Sequence, residues 1–97
     1  MIDLIDEIWI EEILKLSNED MQLCIAEEEM SELIKEICKY KRDPNKTKHY
    51  DFIKEELADV MIMCLQVQKI FEIPSYELAK EISFKIERTL ERLENAE

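Results

Sequence analysis

Residues 55–65 read EELADVMIMCL, the most apolar part of the chain, with one carboxylate inside it. From Leu57 to Leu65 every side chain is apolar except Asp59, and Glu56 precedes that aspartate by almost one helical turn. An apolar run of this kind predicts a helix that faces the protein core. An unpaired carboxylate removed from water is costly or takes up a proton. We therefore expect Asp59 to need a cation, a set of hydrogen-bond donors or a metal.

The composition indicates an all-α fold. The 97 residues include no glycine and two prolines, which excludes the glycine-dependent turns of β-hairpins and phosphate-binding loops. The length suits one domain, residues 1–97, with a small core. Association with another subunit would help such a domain to cover its apolar faces. The longest apolar run is far shorter than the ~18 residues of a membrane span. We expect no signal peptide before the first helix, no membrane contact and a cytoplasmic location.

The net charge and the cysteines limit the classes of function that the chain can have. Twenty-four acidic residues against 13 basic ones give a net charge of −11, which repels nucleic-acid phosphates. A solvated acidic surface explains such an excess equally well. Three isolated cysteines stand on apolar helical segments, so we expect reduced core residues rather than a disulfide or zinc framework. They are Cys24, Cys38 and Cys64.

Helical periodicity and its breaks predict four helices. Their approximate ranges are 2–16, 20–41, 51–71 and 75–94. Ser17 or Asn18 can cap the second helix, and Ser75 can cap the fourth. The polar loop around Pro44 contains His49, which we expect to be solvated. Short connections favour antiparallel neighbours, so we expect an antiparallel four-helix bundle.

Apolar stripes along these helices predict the core and suggest association. The first helix carries Ile5, Ile8, Trp9 and Ile13, and the second carries Leu23, Ala26, Met30, Leu33, Ile34 and Ile37. The third helix is apolar on too many sides for a lone chain of this size. Either its Leu57–Met61–Leu65 face or its Val60–Met63–Val67 face can meet another subunit. We expect a homo-oligomer, most simply a two-fold dimer.

Acidic residues gather on the second and third helices. On a helical wheel Glu29, Glu32 and Glu36 form one stripe beside the core face of the second helix. Glu28 lies further round the helix. Antiparallel packing would bring four carboxylates to one seam: Glu29, Glu32, Glu56 and Asp59. At low dielectric they would repel one another strongly, so a positive charge must lie between them. Oxygen-only ligands suit magnesium, with manganese also possible.

Simpler explanations stay open for these residues. Acidic pairs three residues apart are common on exposed helices, so residues 27–32 alone are a weak indication of a site. Asp59 is a stronger one, because its neighbours are apolar and no basic residue lies within one turn. Asp59 can also pair with Lys85 or Arg88 of another helix. The pattern alone leaves a metal site and a structural role equally open.

The acidic residues resemble the pattern of a known family. EEEMSEL at 27–33 and EELADV at 55–60 look like the EExxE…ExxD pattern of the MazG-like, all-α nucleoside triphosphate pyrophosphohydrolases. The resemblance covers roughly residues 20–93. The chain departs from many members in two places: Thr89 stands where they have asparagine, and Trp9 is the only tryptophan. The matched acidic positions are Glu28, Glu29, Glu32, Glu56 and Asp59.

The resemblance implies an activity and roles for residues. The reaction would hydrolyse a nucleoside triphosphate to the monophosphate and pyrophosphate, with magnesium held by the four seam carboxylates. Glu28 is expected to act as the base that orients the attacking water. Members often carry a lysine followed by basic residues one and two turns later, matched here by Lys85, Arg88 and Arg92, which would hold the β- and γ-phosphates. The family also implies dimers or dimers of dimers.

Two alternatives remain. Lys85 can instead form a salt bridge with Glu81, one turn earlier on the same helix. At the level of function, the chain can be a non-enzymatic, acidic helical-bundle module that binds a protein partner through its apolar faces. That hypothesis explains the charge and the helicity, but it gives no reason for Asp59. Only a metal site predicts clear stabilisation by magnesium in thermal melting.

Overall fold

The computed structural model describes residues 4–96, with side chains from residue 7 onward. Its four α-helices are α1 (Leu4–Leu16), α2 (Glu19–Arg42), α3 (Tyr50–Ile70) and α4 (Ser75–Asn95), with a short 3-10 turn at Lys46–His49. Within residues 4–96 there is no β-strand, so the expected all-α class with four helices is confirmed. Ile2 and the side chain of Ile5, both assigned to the first helix, lie outside the described part. No helix of this part is long and apolar enough to cross a membrane.

Local signals explain where α2 and α4 begin. Asn18 caps α2, because its side-chain oxygen accepts a hydrogen bond of 2.8 Å from the Met21 backbone N–H. The prediction that Ser75 caps α4 is wrong, since Pro74 occupies the cap position and Ser75 is the first helical residue. A proline sets the backbone angle that a helix start needs. The Ser75 hydroxyl instead accepts a hydrogen bond of 3.2 Å from the Gln68 amide.

The end of α3 is a tight turn made without glycine. Glu72 has a φ of 52°, in the left-handed region where glycine is usual. The Ile73 N–H donates to the Gln68 carbonyl at 3.0 Å, and the Glu72 N–H donates to the Lys69 carbonyl at 3.1 Å. The Gln68 side chain also donates to the Ile73 carbonyl at 3.1 Å. These bonds satisfy the last carbonyls of α3 and fix the direction in which the chain enters α4.

The helices α2 and α3 form an antiparallel hairpin that supplies the main packing interface. The electrostatic pairs across it run in opposite sequence directions, with Glu29 near Asp59 and Glu32 near Glu56. Among residues 7–96 three apolar side chains are buried, one on each of the first three helices: Ile10, Ala26 and Met63. The expected apolar faces are therefore covered only in part. The side chains of Ile8, Trp9, Ile13, Met30, Ile34 and Ile37 are exposed.

Helix α4 projects from the other three. It shares no extensive contact with α1, α2 or α3, and every residue from Ala79 to Ala96 is exposed. The radius of gyration is 16.4 Å, whereas a compact chain of 100 residues has a value of about 13 Å. Within one chain, α1 to α3 thus pack together and the fourth helix does not close the expected bundle.

Two predictions about burial are wrong. The three cysteines are free thiols, as expected, but all are exposed rather than part of the core. His49, expected in solvent, is 6% exposed, and its Nε2 lies 2.8 Å from a carboxylate oxygen of Asp43. Asp43 also binds Lys48 at 2.9 Å and accepts a hydrogen bond of 2.9 Å from the Asn45 N–H. Because these contacts close the α2–α3 connection on itself, the histidine turns inward.

Candidate metal centre

Three carboxylates meet where α2 faces α3. Glu29 comes from α2, and Glu56 and Asp59 come from one face of α3. One carboxylate oxygen of each residue lies within 4.8 Å of the other two. We call these three residues the carboxylate cluster. The antiparallel packing expected from the sequence thus brings together three of the four predicted ligands.

The cluster lies at the solvent edge of the seam. Glu29 and Glu56 are half-buried, and Asp59 is exposed. The expectation that apolar neighbours enclose Asp59 is wrong. Successive residues of a helix point in directions 100° apart, so a largely apolar run still turns some positions towards solvent. Asp59 occupies such a position.

Glu56 is the most confined member of the cluster. Burial raises the pKa of its carboxyl above 4.5, and the negative charges of Asp59, Glu32 and Glu36 raise that pKa further. Its Oε2 atom is buried and forms no hydrogen bond. Buried oxygens of this kind are rare in proteins, because desolvation without a partner costs free energy. Glu56 therefore has both the charge and the free oxygen that a cation would satisfy.

Glu29 is perturbed in the same direction. Partial burial is the main cause that raises its pKa above 4.5, followed by the negative charge of Asp59 and a hydrogen bond with the Asp59 carboxyl. The charges of Glu56 and Glu32 add to the effect. Within residues 7–96, no lysine or arginine forms an ion pair with any member of the cluster. Mutual repulsion is thus left uncompensated by the chain's own basic residues.

Three further glutamates lie within two turns of Glu29 along α2. Glu32 is exposed and lies outside the group of three, although its charge reaches both Glu29 and Glu56. Glu28, the predicted base, is exposed on the same helix. Glu36 was not predicted as a site residue, yet its charge acts on Glu56, and its Oε1 lies 3.4 Å from the Lys39 ammonium. The glutamate stripe along α2 was the sequence signal that could have included it.

The predicted phosphate-binding residues lie on α4, away from the carboxylate cluster. Lys85, Arg88 and Arg92 are exposed, and none forms an ion pair within the described residues. The alternative salt bridge from Lys85 to Glu81 therefore does not form. The Arg88 guanidinium lies 5.8 Å from the centre of the Phe84 ring. A single chain does not bring this basic stripe to the carboxylates.

The cluster offers the kind of ligand that a hard divalent cation binds. Magnesium binds oxygen ligands at about 2.0–2.1 Å, so two oxygens stand about 4.2 Å apart on opposite sides of one ion and about 2.9 Å apart at adjacent positions. Of three ligands at most one pair can lie on opposite sides, so the cluster oxygens, within 4.8 Å of one another, would have to move closer together around an ion. The unpartnered Oε2 of Glu56 is one oxygen available to it. Glu29, Glu56 and Asp59 are thus residues that could hold such an ion.

No model of a protein family matches the chain, and neither does any curated protein or solved structure. Function is therefore inferred from the residues themselves. Two features guide it most strongly: the spacing of the carboxylates across the seam, and the acidic pattern that places them on facing helices.

Proposed function

We propose that the protein is a divalent-metal-dependent nucleoside triphosphate pyrophosphohydrolase of the MazG-like type, which releases a nucleoside monophosphate and pyrophosphate. One observation carries the proposal: Glu29, Glu56 and Asp59 meet within 4.8 Å across the α2–α3 seam. These are three of the five acidic positions on which the resemblance depends. Acidic residues that only solubilise a helix have no reason to converge from two helices and to bury an oxygen without a partner.

Magnesium is the cofactor we propose, and manganese has the same ligand preference. Glu29, Glu56 and Asp59 hold it, with Glu32 as the fourth ligand. When bound, the ion offsets negative charge on the phosphate oxygens and lowers the pKa of water. Glu28 precedes Glu29 on α2 and stays exposed, so its carboxylate is free to take the proton of the attacking water.

Substrate binding is assigned to the basic stripe of α4. A triphosphate is negatively charged, and a site made of carboxylates repels it unless cations are supplied. Lys85, Arg88 and Arg92 lie on one side of α4 and carry charges that no described acidic partner neutralises. Charge-assisted hydrogen bonds from these side chains would hold the β- and γ-phosphates. The assembly we propose is a homo-oligomer, a dimer or a dimer of dimers.

Thermal melting and a product screen test the proposal together. Magnesium is expected to raise the melting temperature of the wild-type protein and to have no effect on Glu56→Gln. Pyrophosphate release, measured over all ribo- and deoxyribonucleoside triphosphates, is expected to need magnesium or manganese. It should collapse in Glu32→Gln, Glu56→Gln and Asp59→Asn while circular dichroism shows intact helices. Glu27→Gln, an exposed neighbour on α2, is the matched control and should keep both properties. If magnesium stabilises nothing and no triphosphate is cleaved, the proposal is wrong.

A second candidate, a non-enzymatic helical adaptor, is favoured by the surface of α4. Four apolar side chains one turn apart or nearly so are between 51% and 67% exposed: Ile82, Ile86, Leu90 and Leu93. A stripe of this kind on an amphipathic helix is suited to bind another helical surface. The adaptor predicts a bound foreign protein, a melting temperature insensitive to magnesium and no pyrophosphate release.

A further inference from the structure

Basic residues are concentrated where α2 passes into α3. Residues 39–54 contain six of the 13 lysines and arginines and only two of the 24 acidic residues. This segment therefore carries a net charge of +4, and the rest of the chain carries −15, which together give the total of −11. Salt screens charges that are more than about 8 Å apart, so a small anion bound here meets mainly the local positive charge. A long polyanion would also lie against the acidic surface and be repelled.

A cavity of about 720 Å³ opens on this basic segment. Sites for small molecules have volumes of roughly 300–1,000 Å³ and a mostly apolar and aromatic lining, with a few polar groups that orient the ligand. The cavity has such a lining, in which two tyrosines and two aliphatic residues stand beside two lysines. These residues are Tyr40, Lys46, Tyr50, Ile53, Lys54 and Leu57.

Each tyrosine ring of the cavity has a lysine ammonium over it. The Lys46 ammonium lies 4.7 Å from the centre of the Tyr40 ring, and the Lys54 ammonium lies 5.4 Å from the centre of the Tyr50 ring. Lys46 is held in place because it donates to two carbonyl oxygens at the end of α2, at 2.7 and 3.1 Å. An ammonium has three N–H donors, so Lys46 keeps one for a ligand. Lys54 pairs only with Asp51, at 3.6 Å and 64% exposed, and such a surface pair is weak.

The cavity faces away from the carboxylate cluster. Successive residues of a helix point in directions about 100° apart, so the α3 residues of the cavity point about 140° away from Glu56 and Asp59. We propose that this cavity is a second binding site, which takes a small aromatic molecule that carries a phosphate or carboxylate group. The ring of the ligand packs against Tyr50 and the two aliphatic residues, and the two lysines bind the anionic group. This site does not depend on the proposed enzymatic function.

Calorimetric titration of the wild-type protein in EDTA tests which features of a ligand are recognised. Three probes are compared: 2-naphthyl phosphate has a ring and a charge, 2-naphthol has the ring alone, and inorganic phosphate has the charge alone. EDTA removes divalent metals, so the carboxylate cluster can only repel the anions. The naphthyl phosphate is expected to bind roughly tenfold or more tightly than either of the other probes, because each of them makes only part of the contacts. If either binds as tightly, or if the naphthyl phosphate does not bind because another subunit covers the cavity, the proposal is overturned.

Substitutions of exposed residues locate the bound probe. Lys54→Met and Tyr50→Ala are each expected to weaken the binding of 2-naphthyl phosphate by roughly tenfold, through loss of the charge and of the ring respectively. Lys85→Met is the matched control, because it removes the same charge beside the apolar side chains of α4, and it should keep the wild-type affinity. Circular dichroism checks that all variants stay helical. An affinity that falls in Lys85→Met and not in Lys54→Met would place the probe on α4 and overturn the proposal.

Two further ligands distinguish the sources of an aromatic anion. Adenosine monophosphate represents nucleotides, and 2-naphthoate represents aromatic acids that lack a sugar. Both are expected to displace 2-naphthyl phosphate in competition titrations, and the tighter of the two shows which source the site prefers. Failure of both to displace the probe would show that the site does not recognise the class as a whole, and this result would contradict the proposal.

Discussion

Glu29 of α2 and Asp59 of α3 lie opposite each other across the helical seam, with one carboxylate oxygen of each within 4.8 Å of the other. With Glu56 they form a cluster whose oxygens lie within 4.8 Å of one another. The pKa values of Glu29 and Glu56 are raised by partial burial and by the neighbouring charges. At neutral pH the metal-free fold therefore carries repulsion that the unfolded chain does not.

The first prediction concerns the pH dependence of this repulsion. A carboxyl whose pKa is higher in the folded state binds more protons there, so its contribution to stability is largest at low pH and is lost as pH rises through the folded pKa. For Glu56 this loss begins near 4.5 and continues above it. Glu56→Gln is therefore expected to raise the melting temperature in EDTA at pH 7 and to change it little at pH 3. Glu27→Gln, an exposed neighbour on α2 outside the cluster, is the control. A lower melting temperature for Glu56→Gln at pH 7 would make Glu56 a structural partner instead of a ligand.

The second prediction concerns Asp43, whose pKa is lowered instead of raised. Its contribution to stability therefore changes with pH in the opposite direction. Hydrogen bonds from Lys48, from His49 and from the Asn45 backbone hold the pKa of the Asp43 carboxyl well below its usual value of 3.8. Its stabilising contribution is therefore present above 3.8 and is lost as pH falls through the folded pKa. Asp43→Asn should lower the melting temperature at pH 7 and lower it much less at pH 2. Asp51→Asn is the control, because the Asp51 carboxylate is 82% exposed and pairs only with Lys54 at 3.6 Å. Equal effects of the two substitutions at pH 7 would show that the connection is not held by Asp43.

The third prediction compares two glutamines of α3, because replacing them should change the stability of the fold in opposite directions. Gln66 is fully buried, and neither its amide oxygen nor its amide nitrogen forms a hydrogen bond. Replacing it by methionine, which has a similar shape, should stabilise the fold by about 1–2 kcal/mol, because the desolvated amide is removed. Gln68→Met should instead destabilise it by about 0.5–1.5 kcal/mol, since two hydrogen bonds are lost. Urea denaturation measures both values, and a destabilised Gln66→Met would reveal a partner for the Gln66 amide in solution.

Glu72 carries the fourth prediction. Its φ of 52° is unfavourable for any residue that has a Cβ atom. Glycine does not incur this cost in free energy. Glu72→Gly is expected to stabilise the fold by about 0.5–1 kcal/mol in urea denaturation, allowing for the greater freedom of glycine when unfolded. Ala79→Gly, in the interior of α4, should cost about 1 kcal/mol. Were Glu72→Gly destabilising, the left-handed turn at the end of α3 would not persist in solution.

The sequence predicted the helices well because the signals are local. The proline at Pro74, the cap at Asn18 and the apolar period place each boundary within a few residues. The carboxylate cluster was also predictable in large part, since two acidic faces on antiparallel neighbours must meet. The burial of single side chains was not predictable. Asp59 is more exposed than expected and His49 is more buried, because burial depends on which neighbours a helix or loop packs against. The position of α4 was likewise out of reach, since an amphipathic helix shows that it needs a partner without showing which one.

Phosphorus NMR of a reaction mixture shows directly which phosphate bond the protein cleaves. The wild-type protein is incubated with magnesium and a panel of nucleoside triphosphates, and the phosphorus products are identified by their chemical shifts. We expect a nucleoside monophosphate and pyrophosphate in equal amounts with the wild-type protein, and neither product in EDTA or with Asp59→Asn. A diphosphate with orthophosphate would mean attack at the γ-phosphorus. That result, or a panel left uncleaved in magnesium and in manganese, would contradict the assignment of the carboxylate cluster to pyrophosphohydrolysis.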